Sequence, residues 1–79
     1  MAMIADILLD YMTEHRISAS QLARDMGVTR QAVHYWLSGE TKTPSALLLM
    51  RLADHAGDED LRKLARELLE AMTGNNGNG

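Results

Sequence analysis

Residues 30–35 bring together side chains that could form hydrogen bonds to the edges of DNA bases: Arg30, Gln31, His34 and Tyr35. Arginine can donate two hydrogen bonds to guanine O6 and N7, and glutamine can pair with adenine N6 and N7. Spacings of one, three and four residues place such side chains on one exposed face of an α-helix. The alternative is that these residues form an ordinary solvated helix face, and the choice depends on the elements that hold them.

A helix-turn-helix pattern surrounds these residues, over positions 18–39. Ser18 with Gln21 three residues later predicts a capping box at the start of one helix. Gly27 predicts a left-handed turn at its end, and Thr29 predicts the cap of the next helix. Apolar residues recur where the two helices would touch, at Leu22, Ala23, Met26, Val28, Val33, Trp36 and Leu37. An ordinary helical hairpin is the alternative, but this combination of a small residue, a turn glycine and apolar positions favours a helix-turn-helix.

The same residues carry a resemblance to a known family. Residues 18–57 are similar to the DNA-binding domain of lambda-repressor, Cro and Xre-type regulators, and with the flanking helices the resemblance covers about residues 3–73. It implies an all-α fold, a compact five-helix bundle, in which Arg30 and Gln31 reach base edges. The chain departs from the family at Ala19, where glutamine is common, at Arg16, where glycine is frequent, and at Glu40, in a loop that is often basic.

Phosphate contacts are expected from the helix starts and from one loop. A helix N-terminus offers free backbone N–H groups to a phosphate, and hydroxyl and amine side chains add further donors. The predicted contacts are Ser18, Ala19, Ser20, Gln21, Thr29, Thr41, Lys42, Thr43 and Ser45. They would position the protein on DNA without reading its sequence.

The rest of the chain also reads as helix, with no strand pattern and no internal repeat. We predict helix one over about Ile4–His15, helix two over residues 19–26 and helix three over residues 30–38. Thr43 as the cap and Pro44 as the first residue predict helix four, which runs to about Ala56 and stops at Gly57. Asp58 would cap helix five, residues 59–73. Residues 1–73 are then one domain, and residues 74–79 are expected to be a disordered tail.

The chain has a net charge of −3, but its acidic and basic residues are unevenly distributed along the sequence. Residues 1–15 hold three acids and no lysine or arginine, and residues 52–79 hold six acids against three cations. Residues 16–51 hold five cations against two acids. The positive charge that a DNA partner requires therefore surrounds the helix-turn-helix.

Composition argues against several other classes of protein. The chain has no cysteine, its three histidines lack ligand spacing, and no long apolar run could span a membrane. We therefore expect a cytoplasmic protein with no metal, no cofactor and no small-molecule ligand. No nucleophile–base pair, paired carboxylates or phosphate-binding glycine loop can be assembled, so an enzyme is not expected.

A single recognition helix reads few base pairs, which predicts a homodimer on a palindromic double-stranded operator. The candidate interface is the surplus apolar surface of helix four with a stripe on helix five: Leu61, Leu64, Leu68, Leu69 and Met72. The alternative is that helix five packs over helices one and four and closes the core. The leading interpretation is a small phage- or mobile-element-type repressor. A second is an interaction module, such as an antitoxin or accessory protein, that docks a partner through its acidic C-terminal helix.

Overall fold

The computed structural model describes residues 3–39 and 44–73, and within them every regular element is an α-helix. The helices are α1 (Ile4–His15), α2 (Ala19–Met26), α3 (Arg30–Ser38), α4 (Ala46–His55) and α5 (Glu59–Thr73). The all-α helix-turn-helix prediction is confirmed. None of the helices in the described ranges has the length and apolar character that a membrane crossing requires. The predicted tail, residues 74–79, lies outside the described residues.

The ends of α2 and α3 follow from local chemistry. The Gln21 N–H donates to Ser18 Oγ over 3.2 Å, and the Ala32 N–H donates to Thr29 Oγ1 over 3.1 Å. Gly27 ends α2 in the left-handed region at φ 77°, where a residue without Cβ is favoured. The predicted capping box forms only by half, because the Gln21 side chain donates to Asp25 Oδ1 over 2.9 Å instead of returning to Ser18.

The start of α4 differs from the prediction. Ser45, not Thr43, is the cap that the structure describes, since its Oγ accepts the Leu48 N–H over 3.4 Å. Pro44 precedes the cap and is fully buried, rather than forming the first turn. Thr43 lies outside the described residues. At the other end the ψ of Ala56 is 139°, which is extended rather than helical, so the helix stops at His55 before reaching Gly57.

Arg16 ends α1 in a conformation that glycine usually adopts. Its φ of 55° lies in the left-handed region, and its N–H donates to the Thr13 carbonyl over 3.3 Å. Left-handed backbone crowds Cβ against the carbonyl, which costs about 1 kcal/mol for residues other than glycine. The position where the resembled family has glycine is therefore strained here by an arginine side chain.

The core is formed where α2 crosses α3 and where α5 lies against α4 and α1. Its fully buried side chains include Leu8, Leu22, Val33, Leu49 and Leu68. Each comes from a different helix, so the core ties all five together and fixes how α3 is presented. Burial of this kind is the main source of stability in a domain of this size.

The stripe of α5 belongs to this core. Leu61, Leu64 and Leu68 are 6%, 3% and 0% exposed, which corrects the expectation that they present a face to a second copy. Leu69 and Met72 are partly buried and pack against the same cluster. The alternative arrangement, with helix five closing the core over helices one and four, is the one observed. Among the large apolar side chains described, those exposed are Met3, Leu9, Leu47 and Met50.

Candidate nucleic-acid interface

The outer face of α3 presents polar side chains at the start of the helix. Arg30, Gln31 and His34 are exposed, while Val33 and Trp36 on the opposite face are buried at 0% and 6% exposure. This division follows from the helical period, because residues three and four apart share a face. Three of the four predicted reading residues therefore lie together on one solvent-facing surface.

Tyr35 is placed differently from the expectation that it faces away from the core. It is partly buried and packs against the core cluster, and its backbone carbonyl accepts the Ser38 hydroxyl over 2.9 Å. The reason is its angular position, which lies between the outer face and the buried stripe of a helix with about 100° per residue. Tyr35 thus borders the outer face of α3 and is not at its centre.

Three hydroxyl groups cap helices while staying exposed to solvent: those of Ser18, Thr29 and Ser45. Each oxygen accepts a backbone N–H, over 3.2, 3.1 and 3.4 Å respectively. A hydroxyl has one donor as well as its lone pairs, so a capping hydroxyl can still donate to an anion. Helix capping and phosphate binding are therefore compatible at these positions.

The first turn of α2 adds backbone donors to this surface. The N–H groups of Ala19 and Ser20 lie where no carbonyl of the helix can accept them. The positive end of the helix dipole adds to their affinity for an anion. The Gln21 side chain is less available, since its amide already donates to Asp25. Three further predicted phosphate contacts, Thr41, Lys42 and Thr43, lie outside the described residues.

The described part of the chain holds exposed arginine side chains near these elements that form no ion pair there. Arg16, Arg24 and Arg30 are exposed, and none pairs with a carboxylate of residues 3–39 or 44–73. An unpaired arginine can exchange its counterions for phosphate without first breaking a salt bridge. The charge is therefore available to a polyanion.

The side of the domain formed by α1 and α5 has the opposite character. An open groove of about 390 Å³ there is lined by four carboxylates, of Asp10, Glu14, Asp60 and Glu67, against one Lys63. Within it Tyr11 stacks on His15 with ring centroids 4.1 Å apart, and His15 Nε2 lies 3.9 Å from Asp60 Oδ2. This side would repel phosphate, so the electrostatics favour DNA on the α2–α3 side.

The pKa of Tyr11, which lies in this groove, is raised above its ordinary value. Burial of the phenol raises its pKa first of all, because the phenolate is disfavoured away from water. The negative charges of Asp58, Asp25 and Asp60 raise the pKa further. The shift therefore follows from how the fold places the phenol among these carboxylates.

The sequence pattern of helix four indicated surplus apolar surface as part of a candidate dimer interface, but not which residues form it. In the structure Leu47 and Met50 are 64% and 53% exposed on the outer face of α4. Their separation by three residues was the available signal. Among the residues described, no group of three or more His, Asp or Glu side chains could hold a metal ion.

Comparison with known proteins identifies the domain to which α2 and α3 belong. Residues 8–57 match the sequence model of a family described as the Cro/C1-type HTH DNA-binding domain. The match extends from α1 to just beyond α4 and includes the whole of α2 and α3. No curated protein and no solved structure gives a significant match to the chain.

Proposed function

Because this chain belongs to the family of Cro/C1-type helix-turn-helix DNA-binding domains, we propose that it is a sequence-specific transcription regulator. It inserts α3 into the major groove of double-stranded DNA. The observation that carries the proposal is the exposed polar face at the start of α3, backed by a buried apolar stripe. A regulator of this kind acts where the DNA is, which places it in the cytoplasm.

Arg30 and Gln31 read the bases. The N-terminal residues of a recognition helix enter the groove first, and both side chains are exposed in the first turn of α3. His34, one turn further, meets the next bases or the backbone. Tyr35 contributes at the edge of this contact, because its packing against the core limits how far the ring can move.

Phosphate contacts fix the position of α3. The capping hydroxyls of Ser18, Thr29 and Ser45 donate to phosphate oxygens, together with the amides of Ala19 and Ser20. Further contacts come from the side chains predicted from sequence alone: Gln21, Thr41, Lys42 and Thr43. Few of these groups are cationic, so moderate affinity is expected, and it should fall as salt is added.

The regulator acts as a dimer on a palindromic operator. Half-sites read by two such helices lie about 34 Å apart along one side of the duplex. The protein extends 34 × 27 × 22 Å, so two copies can occupy adjacent half-sites and meet between them. A protein bound in this way across a promoter excludes the polymerase, which makes repression the expected outcome. The phage or mobile-element setting rests on the resemblance to lambda-repressor and Cro-type regulators.

Selection from random duplexes tests the proposal. The chain should enrich one sequence, present as two inverted half-sites. On that sequence Arg30→Ala should lose about 1–3 kcal/mol of discrimination at one base pair in each half-site. Arg66→Ala is the matched control, because Arg66 is an exposed arginine on α5, away from α3. An unchanged preference in Arg30→Ala would remove that residue from the reading surface, and enrichment of no sequence would refute the proposal.

The acidic groove between α1 and α5 supports a second candidate function. Its four carboxylates suit a basic segment of a partner protein, as in an antitoxin or an accessory protein. Light scattering with and without the selected duplex separates the two functions. A stable monomer with no selective DNA binding would favour this interaction module over the regulator.

A further inference from the structure

The outer face of α4 combines exposed apolar residues with two opposite charges. Leu47 and Met50 are 64% and 53% exposed, and Arg51 and Asp54 are exposed beside them. At about 100° per residue these four side chains fall within one arc of the helix. The buried residues of α4, Leu49 and Ala53, point the opposite way. We call these four exposed residues the α4 face.

The α4 face has no partner within the described residues. Its apolar side chains are not needed to close the core, which α5 already completes. Neither Arg51 nor Asp54 forms an ion pair with residues 3–39 or 44–73. Single exposed apolar residues are common on proteins, and here two of them lie one turn apart, so they form one small apolar patch beside the two charges.

The charge pattern of this face identifies its partner. A phosphate backbone would require net positive charge, and a strongly acidic or basic protein would require the opposite net charge. The α4 face has one positive and one negative side chain around an apolar centre, so its net charge is zero. A face of that kind complements itself, because a two-fold axis that sets the positive group of one copy opposite the negative group of the other also sets the negative group opposite the positive one.

We propose that the α4 face binds the α4 face of a second copy of this chain across a two-fold axis. Leu47 and Met50 form the centre of the contact, and Arg51 faces the partner's Asp54. The role of the contact rests on the proposed function, since it joins two copies on one operator.

The small size of the α4 face means that the pair assembles on DNA. Stable interfaces bury about 800 Å² on each partner, far more than two side chains and their neighbours expose. The free protein is therefore a monomer at micromolar concentrations. Two copies held on adjacent half-sites meet at a high effective concentration, which makes a weak contact sufficient. The contact adds cooperativity to operator binding and leaves the affinity for one half-site unchanged.

Paired duplexes measure this cooperativity. We compare a duplex with two inverted half-sites and a duplex with one, using wild type, Leu47→Glu and Leu9→Glu. Leu9 is the matched control, because it is a leucine exposed by 48% on α1. Leu47→Glu should weaken binding to the two-site duplex by about tenfold, a typical size for such coupling, with unchanged affinity for one site. Equal behaviour of the two variants would overturn the proposal.

Charge reversal tests the pairing itself. Arg51→Glu alone and Asp54→Lys alone each place like charges opposite one another, so cooperativity should fall in both. The double variant Arg51→Glu with Asp54→Lys restores opposite charges and should regain it. The ratio of two-site to one-site affinity is the quantity compared, which cancels any direct effect of Arg51 on phosphate binding. Cooperativity that stays low in the double variant would refute the pairing of Arg51 with the partner's Asp54.

A cysteine variant provides a readout that does not require DNA. The chain contains no cysteine, so Met50→Cys introduces one thiol close to the proposed axis. At high protein concentration under mild oxidation it should form a disulfide-linked dimer faster than Leu9→Cys. Equal rates would overturn the contact even if DNA binding is intact. A faster rate combined with no DNA binding would support the contact and refute the proposed function instead.

Discussion

The outer faces of α3 and α4 make an informative comparison. Both helices begin at a residue whose hydroxyl accepts a backbone N–H, at Thr29 and at Ser45, and both bury an apolar stripe in the same core. Facing outwards, α3 presents Arg30, Gln31 and His34, whereas α4 presents an apolar pair with balanced charges. The backbone is alike in the two helices, so the roles that we propose for them, DNA binding for α3 and contact with a second copy for α4, depend on their outward side chains.

The largest expected effect on the free energy of unfolding separates the buried Leu49 of α4 from the exposed Leu47. Leu49 is fully buried, so Leu49→Ala should lower the free energy of unfolding by about 2–5 kcal/mol through lost burial and a cavity. Leu47→Ala should change it by less than about 0.5 kcal/mol, because that side chain is mostly in water. Urea denaturation measures both. Similar losses would mean that Leu47 belongs to the core and that the α4 face does not exist.

The next largest loss of stability is expected from a substitution in the turn before α3. Gly27→Ala is expected to cost about 1 kcal/mol, because φ is 77° there while the added Cβ would meet no atom within 4 Å. Gly57→Ala is the matched control, since it also has open space and its φ is not positive. Thermal denaturation of the pair separates backbone strain from steric fit. Equal losses at both glycines would contradict the assignment of strain to the α2–α3 turn.

Removing either of the two capping hydroxyls should lower the free energy of unfolding by nearly the same amount. Thr29→Ala and Ser45→Ala should each cost about 1 kcal/mol, because each leaves a backbone N–H of the first turn without its acceptor. In DNA binding both should also lose a phosphate contact, with no change in base preference. Urea denaturation measures the loss of stability, and binding to one half-site measures the loss of affinity. A changed base preference in either variant would show that its hydroxyl contacts bases.

The smallest expected effect is the dependence of stability on pH through Tyr11, on the α1–α5 side of the domain. The pKa of Tyr11 is raised in the folded protein, so folding favours the neutral phenol. Its contribution to stability is complete below about pH 10, the ordinary pKa of tyrosine, and is lost as pH rises through the raised folded value. Urea midpoints measured across that interval should fall in wild type and fall less in Tyr11→Phe. An identical decline in the two proteins would contradict the shift.

Features set by neighbouring residues were predictable from the sequence. The bounds of α2 and α3 and the start of α5 agree with the predictions, because capping residues and turn glycines act within a few positions of the helix ends. The bounds of α1 also agree, because its apolar residues recur with the helical period, although no side chain caps its start and Arg16 rather than glycine ends it. Asp58 is one such cap, since its Oδ1 accepts the Asp60 N–H over 2.9 Å. The start of helix four was predicted two residues too early. Thr43 followed by Pro44 and Ser45 alone are both acceptable helix-capping sequences, so the sequence does not distinguish them.

Features set by tertiary packing were not predictable in the same way. The leucine stripe of α5 looks identical whether it covers its own core or a second copy, and only the packing against α1 and α4 distinguishes the two. Tyr35 lies at the border of two faces, so its partial burial depends on neighbours far away in sequence. Arg30 and Gln31 could be proposed as reading residues because the start of a helix and the period of its apolar residues are both local features of the sequence.

One measurement tests the division between α3 and α4 most directly. The affinities of wild type, Arg30→Ala and Leu47→Glu are measured on the selected half-site. They are then measured on a set of duplexes in which each base pair of that half-site is changed in turn. We expect Arg30→Ala to lose about 1–3 kcal/mol of discrimination at one position and Leu47→Glu to keep the wild-type base preference at every position. Preserved discrimination in Arg30→Ala, or altered base preference in Leu47→Glu, would contradict this division.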